Sequence, residues 1–558
     1  MGGASPLSNR WVLLSGALFA YGGLGFCENW ALYSDDIKST WRLDQSATSS
    51  IAAAAFYGNC AGLAMVPGFV NDRFGPAVTL CGAALFTALG MALFYATATG
   101  ALPAIARLPG AGGDGGGGGG GDAVLWLSAF EAMRSFGNQW PSAAIMPLAM
   151  RNFEAQPALA IRALAALKCL SSAGGSLGAL LFASGALGSR QLNFVLAAAV
   201  VTPTLFLCGV PFMRELPPPP AGDDGARAGQ ERHLTPTFAL IVLLLALIVG
   251  GTVADTQSSG LGTTAKRALT AAVFALWLVA VLSPVLTLFR ACRGGGRSTA
   301  KQPASPPPGP VIGELPVSRA ARTVEFWLVI WSSFAYLGAT GIVFLNLAQM
   351  CDALGTTLGG GGNNNSSLHA LAQCVYTMAA AVGRLGSAAF VEALRLRRLP
   401  RPLAFAAVAA GALLGLLCLA THTTAGLYLG VLLCGAGYGG WWTLVPVIMG
   451  DLFGLKHLGA VYKATTVPEA AGYLLVGQRM TASLYQRAAD AHGTGTACVG
   501  ADCFRTACLV GCGLCATAVL ACAELGRRVA RREREREAGW LLGGAKACHH
   551  DEDDRRGE

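Results

Sequence analysis

The sequence is poor in charged residues and in histidine, and these shortages exclude several classes of protein. Only 13% of its 558 residues are Asp, Glu, Lys or Arg, 53% are hydrophobic, and 7 are histidine. A soluble globule carries about 25% charged residues. The sequence also offers no Ser-His-Asp arrangement, no paired catalytic carboxylates in a soluble segment and no metal-like spacing of His and Cys. We therefore expect an integral membrane protein that is not an enzyme and needs no cofactor or metal.

The sequence contains many long apolar runs. About fourteen of them reach the roughly 20 residues that a helix needs to cross a bilayer. Six precede residue 213, two lie in the middle and six follow: 11–33, 48–70, 76–98, 123–150, 161–187, 193–212, 236–253, 268–288, 324–350, 368–394, 402–421, 425–449, 458–481 and 504–525. We interpret the first run as a membrane helix and not a secretory signal, because it is long, contains Glu28 and lacks a cleavage site of small residues.

The basic residues predict the topology and the division into domains. They fall in alternate loops, which places both termini in the cytoplasm by the positive-inside rule. Because they do not form one patch, we expect no nucleic-acid partner. We predict an N-terminal bundle at 1–213, linkers with two inserted helices at 214–323, a C-terminal bundle at 324–526 and a cytoplasmic tail at 527–558.

The loops on the opposite side carry signs of an oxidising compartment. Cys498 and Cys503 lie in the last such loop and are a candidate disulfide. Asn364 and Asn365 each begin a glycosylation sequon on the same predicted side. The glycine run at 115–121 is interpreted as a loop, since no Gly-Lys-Ser/Thr follows to make a phosphate site.

Sparse ionisable residues inside the apolar runs are the first candidates for function. A charge is costly in hydrocarbon, so each of these residues is expected to face the bundle interior, a partner or water. The set comprises Glu28, Glu131, Arg134, Lys168, Lys463 and Glu469.

Two positions in the first half favour specific roles. Glu131 and Arg134 are three residues apart on one helix and can form an ion pair, which either neutralises two buried charges or takes part in proton coupling. Lys168 lies several residues inside its span, before a run of small residues that lets another helix approach closely. We favour anion binding for Lys168 over extension of its amine to the interface. Glu28 lies near the outer end of its span, where an interfacial position is the alternative.

The second half offers weaker signals. Lys463 is about one turn inside its helix, which favours extension of its amine to the interface. Glu469 follows Pro468, which removes a backbone donor and favours a kink. Asn346 and Gln349 share a helix face and are candidates to contact substrate.

The pair Trp441 and Trp442 can line a cavity, although core packing or an aromatic belt is the default for such residues.

A short charged motif joins the second and third spans. Gly68-x-x-x-Asp72-Arg73-x-Gly75 resembles the signature loop between the second and third helices of the major facilitator superfamily. The resemblance implies that the acid and the arginine lock helix ends together on the cytoplasmic side and that the lock opens as a transporter switches. Non-basic residues follow the second glycine here, so partners for Asp72 must lie elsewhere, with helix ends as the first candidates.

Within that superfamily the chain resembles the nodulin-like family. The passages that carry the resemblance are 32–39, 44–45, 162–174, 325–328, 346–349, 383–385, 451–459 and 498–504. Arg134 with Gly137 is also similar to the fourth-helix arginine motif of proton-coupled facilitators. The resemblance implies two six-helix bundles that move as rigid bodies around a central site.

We therefore expect an all-α polytopic membrane protein with the major facilitator fold, two six-helix bundles and about two extra central helices. The expected function is secondary active transport of a small solute, with an organic anion as the leading class and protons as a candidate coupled ion. Lys168 would attract the solute, and Asp72, Arg73 and Arg384 would hold the cytoplasmic gate. The alternative is a transport-inactive sensor or scaffold. The expected partners are the solute and the lipid bilayer, with a monomer as the working unit.

Overall fold

The structure is a computed structural model that describes residues 9–43, 45–58, 65–102, 120–154, 156–188, 190–217, 233–257, 261–293, 311–355, 363–491, 498 and 500–554. All regular secondary structure in these residues is helical. Ten of the described helices are long and apolar enough to cross a membrane. They correspond to ten of the fourteen predicted spans, and the other four spans are shorter, charged or broken helices. The protein is therefore a multi-pass integral membrane protein.

Eight helices form the first part of the chain. They are α1 (Arg10–Phe26), α2 (Ser34–Thr40), α3 (Gln45–Tyr57), α4 (Val66–Phe74), α5 (Pro76–Ala98), α6 (Gly120–Asn152), α7 (Pro157–Ala183) and α8 (Leu192–Gly209). Helix α1 begins where the side chain of Asn9 caps the amide of Trp11. It ends before the predicted limit of the first span, and a 3-10 turn at Trp30–Leu32 and α2 follow. The second predicted span is divided between α3 and α4.

Two helices follow in the middle of the chain, as predicted for the insert: α9 (Thr235–Gln257) and α10 (Thr263–Arg293). The hydroxyls of Thr237 and Ser283 join them at 2.6 Å. Helix α10 packs on α1 and α7, where the indole of Trp277 donates to the carbonyl of Leu170 at 3.3 Å. Helix α9 contacts both α7 and a helix of the last part, so the insert lies beside the junction of the two halves.

The last part of the chain contains the remaining helices. They are α11 (Val317–Ala320), α12 (Val324–Gly355), α13 (Asn363–Leu396), α14 (Leu403–Ala420), α15 (Thr424–Phe453), α16 (Leu458–Lys463), α17 (Thr466–Gly472), a π-helix at Tyr473–Met480, α18 (Thr481–Ala491) and α19 (Asp502–Asp554). The thirteenth predicted span is thus broken. Helix α16 ends one residue before Ala464, whose carbonyl would meet the ring of Pro468, and this explains the break.

The predicted extramembrane features lie partly outside the described residues. The structure contains the disulfide between Cys498 and Cys503. Asn364 and Asn365 fall in the first turn of α13, but their side chains lie outside the described set, so both glycosylation sites stay predictions. Most of the glycine run, up to residue 119, also lies outside it.

Candidate functional site

The charged motif docks against the start of α16, across the junction of the two halves. The Asp72 carboxylate accepts the backbone amides of Gly459 at 3.1 Å and Ala460 at 2.9 Å. Arg151, at the end of α6, lies 3.9 Å from the same carboxylate. We call this end of the molecule the Asp72 face. A helix end is therefore a partner of Asp72, in agreement with the sequence-based hypothesis.

Glycine permits this close approach. A Cβ added to Gly68 would lie 2.4 Å from the carbonyl oxygen of Gly459 and 2.6 Å from the Cα of Ala460. Both atoms belong to the backbone and cannot rotate away. Gly75 ends α4 with a φ of 87°, a left-handed conformation that glycine adopts without strain. The two glycines of the motif thus have separate tasks, contact and termination.

Arg151, one of the basic loop residues used to predict the topology, makes several contacts at this junction that the sequence did not indicate. Its guanidinium donates to the carbonyls of Leu455 at 3.0 Å and Lys456 at 3.2 Å, and to Glu215 at 2.7 Å. The Glu314 carboxylate accepts the amides of the same two residues, at 3.2 Å and 2.9 Å. The loop between α15 and α16 is therefore held through its backbone from two directions.

The segment before α11 is bound to the end of α15. Val311 and Ile312 donate to the carbonyls of Asp451 and Leu452 at 2.7 and 3.0 Å. Arg401 also pairs with Asp451 at 2.7 Å. The loop and this segment consequently form one unit with the second half.

Two residues predicted for the gate take no part in the contacts at the Asp72 face. Arg73 is exposed, and its guanidinium stacks on the ring of Phe74. Arg384 does not lie on the Asp72 face, because its position twelve residues before Leu396 places it deep in the bundle. The prediction that Arg384 belongs to the cytoplasmic gate is wrong.

The Asp72 carboxylate is partly withdrawn from water. Burial raises its pKa, and the amide hydrogen bonds and the charge of Arg151 oppose that shift. A state in which Asp72 faces water has a lower pKa, so the docked state binds a proton more readily. Acidification therefore does not favour undocking through this residue.

Replacement of Asp72 by alanine is expected to loosen the junction. Charge-assisted hydrogen bonds contribute about 1.5–3 kcal/mol each, so the amides of Gly459 and Ala460 should exchange at least about 10-fold faster. Hydrogen exchange with mass spectrometry on peptides that cover 455–465 measures this. Asp490→Ala is the control, because among the described residues it loses a contact with Gln486 alone. Unchanged exchange in Asp72→Ala would show that the contact is not formed in the membrane.

A second group of charges lies at mid-depth, where the two halves meet. Lys168 is eleven residues beyond the start of α7, Glu469 eleven beyond the start of α16, and Arg384 twelve before the end of α13. A rise of 1.5 Å per residue places Lys168 and Arg384 about 17 Å from the Asp72 face, close to the middle of a 30 Å hydrocarbon layer. Glu469 lies beyond the break after α16, and its charge interacts with that of Lys168. We call these residues, with Glu28, the central group.

The two cations of the central group are neighbours from different halves. The amine of Lys168 lies over the rings of Tyr21 at 5.5 Å and Trp442 at 5.2 Å, and makes no hydrogen bond within the described residues. The guanidinium of Arg384 donates to the carbonyl of Lys168 at 3.1 Å and to the hydroxyl of Ser172. This contact fixes α13 against α7, at a separation from which the charge of Arg384 interacts with that of the Lys168 amine.

The two carboxylates of the central group are accessible. The side chain of Glu28 is exposed inside the bundle, and one of its oxygens accepts the amide of Asn138 at 2.7 Å. Glu469 is half-buried and has no hydrogen-bond or ion-pair partner within the described residues. Glu28 thus faces the interior space and not the lipid interface.

Lys463 is 1% exposed, so the prediction that its amine extends to the interface is wrong. Its amine donates to the side chains of Gln139 at 2.8 Å and Ser142 at 2.9 Å, both on α6. These neutral acceptors satisfy the ammonium group without leaving the bundle, and they join the two halves.

Glu131 and Arg134 form the predicted ion pair. They are 2% and 5% exposed, and the guanidinium donates two hydrogen bonds to the carboxylate, at 2.9 and 2.5 Å. Arg134 also donates to the carbonyl of Cys27 at 3.2 Å, which ties α6 to the end of α1. The pair is closed and buried, which favours the structural interpretation over proton coupling.

The remaining candidate residues on α12 and α15 differ in their burial and in their contacts. Asn346 stands at a kink in α12, with φ −124° and ψ 16°, and its amide bridges the carbonyls of Ile342 and Gly477. Gln349 is exposed and lies beyond the kink. Trp441 is buried between Tyr336 and Phe405, each at 4.2 Å, and therefore belongs to the core, unlike its neighbour Trp442.

Comparison with known proteins gives the architecture a name. A family model described as "NFD4, C-terminal domain" matches residues 309–532. A search of curated proteins gives no match. The solved structure of the proton:xylose symporter XylE from E. coli, a major facilitator superfamily protein, superposes with a TM-score of 0.53 at 14% identity, over 91% of this chain and 93% of that one. The chain has the major facilitator fold.

Other proteins share the major facilitator fold with this chain. A bacterial homologue of the iron transporter ferroportin, in an outward-facing state with soaked iron, gives a TM-score of 0.53 at 11% identity, over 93% and 99% of the two chains. The human organic anion transporter MFSD10 gives 0.50 at 14% identity, over 93% and 100%. The resemblance to the nodulin-like family in particular stays a prediction.

In this major facilitator fold, the start of α1 and the part of α19 around Arg532 lie on the same side as the Asp72 face. Arg10 donates to the carbonyl of Pro217 at 2.7 Å, close to the contacts of Arg151, and Arg532 donates to Glu325 at 2.8 Å. Arg10 and Arg532 thus lie on one side of the protein. That this side is cytoplasmic stays a prediction from the basic loops.

Proposed function

We propose that this protein is a secondary active transporter for a small solute that carries an acidic group. The observation that supports this most strongly is the free amine of Lys168 beside Arg384, at mid-depth between the two halves. Ionisable residues in such a position are costly and are retained at substrate and ion pathways. The proton:xylose symporter and the human organic anion transporter, which have the same fold, are in accord with this proposal.

The proposed cycle uses the docking at the Asp72 face as one of its two end states. In the arrangement described, the loop before α16 closes this face while Glu28, in the interior, is accessible. Movement of the halves would break the contacts of Asp72 and Arg151 and close the opposite end. Proton coupling remains a candidate, and imposing a pH gradient in the uptake assay tests it.

Replacement of Lys168 by alanine is expected to reduce solute uptake at least about 10-fold. A charge-assisted hydrogen bond contributes about 1.5–3 kcal/mol, and 1.4 kcal/mol is a factor of ten. A solute screen by thermal stabilisation would first select the substrate, and uptake into proteoliposomes would then be measured. Lys168→Arg should retain part of the activity because the charge is kept.

Lys266→Ala is the matched control for that experiment. Lys266 pairs with Asp255 at 3.0 Å, between the inserted helices and away from the central group. It should transport like the unmodified protein. Uptake that is unchanged in Lys168→Ala would contradict the role of the lysine, and stabilisation by solutes without flux would favour the sensor alternative.

A further inference from the structure

We propose that the central group binds a zwitterion of the α-amino acid type. Its carboxylate would bind at Lys168 and Arg384, and its ammonium group would bind at Glu28 and Glu469. This inference rests on the proposed transport function and adds the class of solute. It follows from which charges the protein leaves unpaired.

The acids and bases of the central group do not neutralise one another. Glu28 follows α1, whereas Lys168, Arg384 and Glu469 lie on α7, α13 and α17, so four segments and both halves contribute. The charge of Lys168 interacts with the charges of all three others. Yet no ion pair within 4.0 Å joins an acid to a base of this group in the described part of the chain. Each half thus presents one acid and one base to the space between them.

Lys463 explains why Glu469 is left free. It is the cation nearest along the chain, but its amine is engaged by Gln139 and Ser142 on α6. A third base is thereby held away from the Glu469 carboxylate. The carboxylate of Glu469 therefore stays without an ion-pair partner within the described residues, although a lysine lies only six residues away in the sequence.

A solute with only negative charge does not fit this arrangement well. It would satisfy Lys168 but leave the carboxylates of Glu28 and Glu469 without a cation, in a space from which the solute expels water. An uncompensated charge in such surroundings is strongly destabilising. An ammonium group on the same solute provides the missing partner.

The groups around Lys168 suit a carboxylate. The amine of Lys168 lies over the ring of Trp442, whose indole N–H is buried and has no hydrogen-bond partner within the described residues. The Nε of Arg384 is also buried and has no hydrogen-bond partner in the described part of the chain. Buried donors are nearly always satisfied, so unpaired donors on two residues that contact Lys168 indicate a missing acceptor.

The acidic side is preorganised by the first half. The amide of Asn138 donates to one oxygen of Glu28, which fixes the carboxylate and leaves its other oxygen available. Asn138 itself lies on α6, one turn from the buried Arg134. A fixed acceptor of this kind lowers the ordering cost of binding an ammonium group.

The experiment compares solutes that differ only in the ammonium group. The full-length protein would be tested with L-alanine against L-lactate, L-phenylalanine against L-phenyllactate and L-glutamate against 2-hydroxyglutarate, by thermal stabilisation and by uptake into proteoliposomes. We expect the amino acid of at least one pair to bind about 10-fold or more tightly than its hydroxy acid.

The variants assign this preference to residues. Glu469→Gln should weaken binding of the amino acid by about 10-fold or more and change binding of the hydroxy acid little, whereas Lys168→Ala should weaken both. Glu28→Gln provides a second acid variant should Glu469→Gln prove unstable, and Asp490→Asn is the control acid.

Equal or tighter binding of the hydroxy acids would overturn the proposal, as would equal loss of both solutes in Glu469→Gln. In either case, uptake that depends on Lys168 would leave the transport function standing. Absence of binding by every amino acid would also overturn the zwitterion proposal. Absence of flux for all solutes, including those that bind, would separately contradict transport.

Discussion

Glu131→Ala is expected to lower the free energy of unfolding by about 3–5 kcal/mol, one of the two largest effects that the structure predicts. The substitution leaves the guanidinium of Arg134 buried at 5% exposure without its counter-charge. Within the described residues, the carbonyl of Cys27 and its weakly accepting Sγ would be the remaining acceptors. Thermal unfolding in detergent, followed by intrinsic fluorescence, should therefore show a markedly lower melting temperature.

The double variant Glu131→Met/Arg134→Met separates the cost of a lone charge from the value of the pair. Replacing both partners of a buried ion pair by apolar residues of similar size is often neutral or stabilising. We expect most of the lost stability to return in the double variant. If the double variant is as unstable as Glu131→Ala, the pair contributes through its geometry and not through mutual neutralisation.

Gly68→Ala is expected to reduce uptake of the selected solute about 10- to 100-fold, through steric exclusion at the Asp72 face. Overpacking of this kind costs about 1–3 kcal/mol, and here the clash involves the Gly459 carbonyl and the Ala460 Cα, which belong to the backbone. Alanine stabilises helices by roughly 1 kcal/mol relative to glycine, so weaker helix propensity cannot explain a loss. Uptake and hydrogen exchange at 455–465 provide the two measurements.

Gly386→Ala is the matched control for that variant. Gly386 also lies in a helix, but nothing stands within 4 Å of a Cβ added there. The control should transport normally. Gly68→Ala with normal uptake and normal exchange would contradict the close docking of the two halves.

The fold was largely predictable because its signals are local. Apolar length marks the spans, and ten of them are single helices of the predicted kind. The pairing of Glu131 with Arg134 was also predictable, since residues three apart share a helix face. Pro468 likewise indicated a break in the thirteenth span, because the cause lies within one turn of the effect.

The central group was only partly predictable because its partners are distant in the sequence. Depth along a helix suggested that Lys463 would reach the interface, but Gln139 and Ser142, more than 300 residues away, bind its amine. The position of Arg384 beside Lys168 depends in the same way on how α13 meets α7. No periodicity within one segment reports which faces of two remote helices meet.

The backbone bonds of Glu314 have a mechanical consequence. Together with the hydrogen bonds from Val311 and Ile312, they attach the loop at Leu455 and Lys456 to the second half. These bonds do not depend on the position of the first half. The contacts of Arg151 with that loop are the ones that cross between the halves. If the halves separate as proposed, the surface of separation would run between Arg151 and the loop, and the loop would move with the second half as a preformed unit that needs no refolding to return.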